Sequence, residues 1–160
     1  MRKLILFFAT GFGSGYLPCV PGTYGTVVGM LISICTYFVF PDNFVKVDII
    51  IFLVMFIPSI LISGKAEQYF GVKDAQQIVI DEMMGYWLSI MFHPFSVSLV
   101  IAAFILFRLF DIIKPFPIGF IQRLKGGVGV VADDLMAAVY VNICLTLGSL
   151  LAGYLGYIIW

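Results

Sequence analysis

The sequence has few charged residues. Only 11% of its 160 residues are Asp, Glu, Lys or Arg, whereas charged residues make up about 25% of an average soluble protein. Nine basic and nine acidic side chains cancel, so no net charge would attract the chain to nucleic acid. We therefore expect no nucleic-acid partner, and any electrostatic function must depend on where the few charges lie.

Cysteine and histidine are scarce as well. Cys19, Cys35 and Cys144 lie in apolar sequence without the spacing of a metal site or a redox motif, so we expect each to be an inert buried residue. The single histidine, His93, precedes a proline in a short turn between apolar segments. These absences argue against histidine or cysteine chemistry and leave carboxylates as the candidate reactive groups.

Apolar residues are in excess, at 62% of the chain. This composition predicts one all-α, membrane-embedded domain over residues 1–160, because a helix needs about 20 apolar residues to cross a bilayer. The N-terminal "MRKLILFFATGFG" starts like a signal peptide, but glycines interrupt it and no clear cleavage site follows, so we keep it in the mature protein. Five segments could cross or enter the bilayer as short or tilted helices: Val27 to Phe40, Val47 to Ser63, Ile78 to Phe92, Ser96 to Phe107 and Leu135 to Trp160.

The basic residues predict the orientation of these five helices. With the N-terminus inside, only Lys46 falls on the outer face, and the outer loops otherwise offer few polar residues, Asp48 and His93 among them. Such asymmetry in short loops marks the cytoplasmic side, so we expect the active site at the cytoplasmic face. The basic residues on that face are Arg2, Lys3, Lys65, Lys73, Arg108, Lys114, Arg123 and Lys125.

Two adjacent acids begin the apolar segment "IVIDEMMGYW". Carboxylates at the edge of the hydrocarbon region are costly unless they pair, bind metal or face water. On a helix that begins near Gln77, Asp81 shares a face with Gly85, which would leave open space beside the carboxylate. Glu82 points about 100° away, and it is either a ligand or an acid favoured by the helix dipole.

Arg108, Asp111 and Lys114 follow one another at a spacing of three residues and end at a Lys-Pro step. The proline disfavours helix through Lys114. The pattern is consistent with a plain Arg108–Asp111 ion pair, and equally with a face that suits a metal-bound phosphate.

Two glycine-rich segments lie at the same predicted end of the bundle. In "PGTYGT", Thr23 could present its hydroxyl to an anion and Thr26 could cap the following helix. In "RLKGGVGVVADD", the amides of Gly126 and Gly127 could form an anion-binding concavity beside Arg123, although loop flexibility alone would explain them.

The second of these segments ends in paired aspartates, Asp133 and Asp134. Adjacent residues at a helix start point about 100° apart. We therefore expect one of them to face a metal ion and the other to cap the helix or support its neighbour.

Together these groups suit Mg²⁺, which prefers a few carboxylates, water and substrate phosphate as ligands. The chemistry indicated is phosphoryl transfer or hydrolysis. The chain has no GxxxxGK[ST] loop, no cysteine six positions before an arginine and no DxDx[TV] nucleophile, which excludes these soluble classes.

Four ordered segments resemble the phosphatidylglycerophosphatase A family: "GFGSGYLPCVPGTYGT", "IVIDEMMGYW", "FRLFDIIKPFPI" and "GGVGVVADDLMAA". The resemblance covers nearly the whole chain and implies an all-helical, Mg²⁺-dependent enzyme of the bacterial inner membrane. Such an enzyme would remove the terminal phosphate of phosphatidylglycerophosphate to give phosphatidylglycerol, among membrane lipids. A position that is often acidic in the family is Gln122 here, which argues against an essential carboxylate there.

The converging acids suggest a division of roles. We expect Asp81, Asp133 and Asp134, with Glu82, to bind Mg²⁺ and activate a water molecule. Asp111 would be a general base, a nucleophile or the residue that orients Arg108. The phosphate oxygens would be held by Arg108, Lys114, Arg123, Thr23 and the amides of Gly126 and Gly127.

Two alternatives remain open at this stage. One is a small ion-coupled membrane transporter, since intramembrane carboxylates also build ion pathways, although the charges here cluster at one face. The other is a lipid phosphatase for a different head group. Gly148, Gly153 and Gly156 could let helices pack within the chain or in a homo-oligomer.

Overall fold

The computed structural model of the chain describes residues 1–155. All regular structure in this range is helical, which confirms the all-α prediction. The seven α-helices are α1 (Arg2–Ala9), α2 (Pro21–Val39), α3 (Phe44–Phe70), α4 (Ile80–Ile90), α5 (Val97–Ile113), α6 (Ile118–Ile121) and α7 (Gly127–Tyr154), with a short 3₁₀ turn at Ser14–Tyr16.

Three helices, α2, α3 and α7, are long and apolar enough to cross a membrane. The 17 residues of α5 span about 25 Å and the 11 residues of α4 about 16 Å, both short of the roughly 30 Å hydrocarbon core. Five crossing segments therefore stay a prediction. The predicted end of the last segment at Trp160, and Gly156 within it, lie outside the described residues.

The long helices extend further at one end of the bundle than their apolar runs predict. Helix α2 begins at Pro21, because proline fits the first helical position. Helix α3 continues to Phe70 and ends at Gly71 in a left-handed conformation. Helix α5 continues to Ile113 and ends at Lys114, as the following proline predicts. The additional turns of α5 carry Arg108 and Asp111, which lie beyond the apolar run from which the helix was predicted.

The short helix α4 is the centre of the bundle. Nine of its eleven residues are buried, and it packs against α2, α3, α5 and α7. Gly29 of α2 allows this close packing, since a Cβ there would lie 3.0 Å from the Met83 backbone. Gly85 leaves no open space beside Asp81, contrary to expectation. Its α-carbon instead faces the Phe107 ring and the Asp134 Cβ, where an added Cβ would sit 2.5 and 3.2 Å away.

The outer surface of the long helices is apolar. Exposed side chains include Leu31, Leu53, Ile105 and Leu147, as expected for helices that meet lipid. The prediction that the cysteines are buried is wrong, because all three are exposed. In a membrane bundle an apolar sequence context faces lipid as well as core, so it does not predict burial.

Asp48 is buried rather than placed in an outer loop. Helix α3 already begins at Phe44, so Asp48 lies on its first turns and is only 2% exposed. Its carboxylate accepts hydrogen bonds from Ser33 Oγ at 3.1 Å and Thr36 Oγ1 at 2.6 Å. These bonds join α2 to α3 at the end of the bundle opposite the acidic residues described next.

Candidate active site

Four helix ends meet around one polar cavity. The starts of α2, α4 and α7 and the end of α5 contribute to its wall. Its volume is about 240 Å³, smaller than the roughly 300–1,000 Å³ of typical small-molecule sites. The cavity is therefore large enough for a small polar group only.

The cavity is strongly acidic. Only two cations, Arg108 and Lys114, face six carboxylates, which gives a formal charge of −4. A phosphate monoester would meet net repulsion here unless a further cation were present. The six carboxylates belong to Asp74, Asp81, Glu82, Asp111, Asp133 and Asp134.

Asp81, Glu82 and Asp134 form a compact three-carboxylate group. One oxygen from each lies within 4.8 Å of the other two. In the described part of the chain, Asp81 Oδ1 and Glu82 Oε2 are buried without a hydrogen-bond partner. Buried, unpaired and mutually repelling oxygens are unfavourable unless a cation binds them. Hard oxygen ligands of this kind fit Mg²⁺.

The two adjacent aspartates of α7 serve different partners. Asp134 belongs to the three-carboxylate group, whereas Asp133 Oδ2 accepts a 2.7 Å hydrogen bond from Lys114 Nζ. Neither residue caps the helix, as sequence reasoning had allowed, because α7 already begins at Gly127. The roughly 100° between successive helical side chains explains the division.

Arg108 lies between the acids of two helices. Its Nη1 is 2.7 Å from Asp111 Oδ2 on the same helix and 3.9 Å from Glu82 Oε1 on α4. The predicted Arg108–Asp111 ion pair is thus present. Among the described residues, Arg108 Nε is buried without a hydrogen-bond acceptor, whereas Nη1 faces the Asp111 carboxylate.

Lys114 stands at the end of α5 with a left-handed backbone, φ 46°, which is uncommon for lysine. Burial lowers its pKa, but the hydrogen bond to Asp133 and the nearby carboxylates more than offset this, so the pKa is raised above its ordinary value. Lys114 is therefore a cation at neutral pH. Its Nζ is also 3.8 Å from Asp111 Oδ1.

Gly22 lets the first turn of α2 approach the charged side chains. A Cβ at this position would overlap Glu82 Oε1 and crowd Arg108 Nη1. Thr23 follows it in the helix and does not line the cavity. Thr26 does not cap α2, since the helix begins five residues earlier, and its hydroxyl donates to Gly22 O at 2.9 Å.

The glycine loop that opens the second glycine-rich segment lies apart from the cavity, although the aspartates that end the segment line it. Arg123, Gly126 and Gly127 are not among the residues that line it. Gly127 packs against α3, where a Cβ would overlap Ile60 O and crowd Gly64 N. This glycine therefore serves helix packing in the structure, a role that its sequence context did not indicate.

One residue of the cavity wall, Asp74, was missed by sequence reasoning. It lies in the loop "VKDAQQ" between α3 and α4 and has a left-handed backbone, φ 51°. Asp is one of the few residues that adopt this conformation readily. The only signal in the sequence was a lone carboxylate in the loop just before Asp81.

Comparison with known proteins identifies the family of the chain. The profile of the family described as Phosphatidylglycerophosphatase A matches residues 7–149. A Bacteroides thetaiotaomicron protein, provisionally named a phosphatidylinositol-3-phosphatase, is 37% identical over 154 residues, which cover 94% of this chain and 96% of that protein.

Two relatives carry the name phosphatidylglycerophosphatase A. The one from Haemophilus influenzae is 36% identical over 85% of this chain and 83% of its own length. The one from Escherichia coli is 35% identical over 82% of this chain and 75% of its own length. No solved structure matches the chain.

Proposed function

We propose a substrate and a metal requirement for this chain, which belongs to the phosphatidylglycerophosphatase A family and is a lipid phosphatase. It hydrolyses phosphatidylglycerophosphate to phosphatidylglycerol and phosphate in a Mg²⁺-dependent reaction. The metal requirement is supported by the excess of carboxylates over cations in the cavity, where two carboxylate oxygens have no hydrogen-bond partner. The names of the two relatives support this head group.

Asp81, Glu82 and Asp134 would hold the metal ion. When bound, Mg²⁺ neutralises phosphate charge and lowers the pKa of a coordinated water. The three residues lie on two helices, α4 and α7, so the site depends on the packing of these helices around Gly85.

Arg108 and Lys114 would hold the phosphate oxygens. Arg108 offers a planar guanidinium with several donors, and Lys114 offers a compact charge on the same wall. Charge-assisted hydrogen bonds of this kind strengthen as negative charge develops on the phosphoryl oxygens. We assign the phosphate to these two cations, because Arg123 lies outside the cavity.

Asp111 would orient the two cations. Its Oδ2 faces Arg108 and its Oδ1 faces Lys114. A carboxylate whose two oxygens both face cations is a weak nucleophile, so we propose direct attack of water on phosphorus rather than an aspartyl-phosphate.

The active site would face the cytoplasm. Helices α2, α4 and α7 begin at the cavity and α5 ends there. Eight of the nine basic residues belong to segments at this end, and Lys46 belongs to the opposite end. The positive-inside bias predicts that such an end lies in the cytoplasm.

This orientation can be tested by labelling. After Cys19, Cys35 and Cys144 are replaced by serine, a Lys125→Cys variant should react with a membrane-impermeant maleimide in inside-out vesicles only. Labelling of right-side-out vesicles would contradict the orientation.

A second head group merits a direct comparison, because the Bacteroides relative is named for phosphatidylinositol-3-phosphate. Phosphate release should be measured with detergent-solubilised protein on equal concentrations of phosphatidylglycerophosphate, phosphatidylinositol-3-phosphate and phosphatidic acid. We expect the highest kcat/KM for phosphatidylglycerophosphate. A higher value for the inositol lipid would assign the chain to that substrate instead.

A further inference from the structure

Asp74 lies where the catalytic cavity meets the open surface. It lines the cavity together with the three-carboxylate group, and it also lines two shallow surface depressions beside it. Asp74 is half-buried, so its carboxylate is in reach of both the cavity interior and bulk water.

Contacts from two other segments hold Asp74 in place. Its backbone N–H donates to Glu67 Oε1 at the end of α3, at 2.8 Å. Its Oδ2 accepts a 2.7 Å hydrogen bond from Gln122 Nε2, and Lys73 Nζ donates to Gln122 O at 3.1 Å. These contacts fix the position of Asp74 at the edge of the cavity.

Asp74 differs from the other five carboxylates of the cavity. Asp111 and Asp133 face cations, and the remaining three form the group that fits a metal ion. Within residues 1–155, Asp74 forms no ion pair and is not a member of that group. Gln122 occupies Oδ2, which leaves Oδ1 available to accept a proton.

We propose that Asp74 is the general base of the reaction. This inference rests on the proposed hydrolysis of a phosphate monoester. As the water oxygen forms its bond to phosphorus, the bond between phosphorus and the lipid oxygen breaks, and the water proton passes to the Asp74 carboxylate. The leaving lipid oxygen takes one proton from bulk water. Asp74 later releases the proton that it accepted to bulk water.

Charged and polar groups face Asp74 from two sides. On its outer side lie Glu67, Lys73 and Arg123. Asp81 and Asp133 line the cavity with it, and the Gln122 amide donates to its Oδ2.

The test compares Asp74→Asn with Asp42→Asn, a matched change in the loop at the opposite end of the bundle. General-base catalysis contributes about 10²- to 10⁴-fold, so Asp74→Asn should lower kcat at least about 100-fold. The KM and the Mg²⁺ concentration for half-maximal rate should remain within about twofold of wild type. Asp42→Asn should match wild type throughout.

Gln122→Leu provides a second variant should Asp74→Asn fail to fold. Loss of the amide donor removes the contact that holds the carboxylate at the cavity wall, so kcat should fall, although less than in Asp74→Asn, with KM within about twofold of wild type. An unchanged kcat in Gln122→Leu would overturn the proposal.

Two results with Asp74→Asn would also overturn it. These are a kcat above one third of the wild-type value, or recovery of activity at high Mg²⁺, which would make Asp74 a metal ligand. If wild type itself releases no phosphate from the lipid, the proposed function fails instead, so the two failures are distinguishable.

Discussion

Lys114 Nζ lies 2.7 Å from Asp133 Oδ2 and so joins the end of α5 to the start of α7. This contact pairs Asp133 with a cation, whereas Asp134 lies beside Asp81 and Glu82. It also fixes the ammonium group next to the position proposed for the phosphate. The two adjacent aspartates of α7 thus have different partners.

The Lys114–Asp133 pair should be energetically coupled. Lys114→Met leaves Asp133, only 3% exposed, without its cation. Hydrogen bonds to charged groups contribute about 1.5–3 kcal/mol, so we expect destabilisation of this order. In a double-mutant cycle with Asp133→Asn, thermal unfolding in detergent should give a coupling of at least about 0.5 kcal/mol. Additive effects would show that the pair contributes nothing to stability.

Arg108 should not be replaceable by lysine. The substitution keeps the charge but removes the fork of donors, and we expect kcat/KM for phosphate release to fall about 10- to 100-fold, or about 1.4–2.7 kcal/mol. Arg123→Lys, outside the cavity, should remain within about threefold of wild type. Equal losses in both variants would contradict our assignment of the phosphate to Arg108.

Gly22 should be needed for activity more than for stability. The Cβ of Gly22→Ala would displace the ends of the Glu82 and Arg108 side chains, which can move without unfolding the helix. We expect kcat to fall about tenfold or more, equivalent to about 1.4 kcal/mol, with a small change in melting temperature. Gly148→Ala is the control, since no described atom lies within 4 Å of its added Cβ. Wild-type kcat in Gly22→Ala would refute this view of the cavity.

Rapid quenching with substrate labelled in the terminal phosphate should trap no phosphoenzyme. Both oxygens of Asp111 face cations, so Asp111→Asn should weaken the positioning of Arg108 and retain measurable turnover. Label bound covalently to wild type but absent from Asp111→Asn would instead identify Asp111 as a nucleophile.

Much of this architecture could be predicted from the sequence because lipid-facing and buried helices are both apolar. The helix ends were harder to predict. The apolar runs stop where charged residues begin to line the cavity, as at Arg108, although the helix continues. The cysteine prediction was wrong, since exposure to lipid and burial in protein have the same sequence signature.

Site residues were easier to predict than their partners. The sequence predicted that Asp81, Asp111 and Asp134 lie at the same end of the bundle, and the structure places them there. The contact between Gly127 and α3, and the position of Asp74 over the cavity, depend on how separate segments pack. No local pattern in a single sequence specifies such packing.

The most direct test of the account is the Mg²⁺ dependence of phosphate release from phosphatidylglycerophosphate in detergent micelles, measured for wild type, Asp134→Asn and Asp42→Asn. We expect wild type and Asp42→Asn to be inactive in EDTA and to recover fully with Mg²⁺. Asp134→Asn should need at least about tenfold more Mg²⁺ for half-maximal rate, because loss of one carboxylate weakens the metal site. Phosphate release by wild type in EDTA, or an unchanged Mg²⁺ requirement in Asp134→Asn, would contradict the metal site formed by Asp81, Glu82 and Asp134.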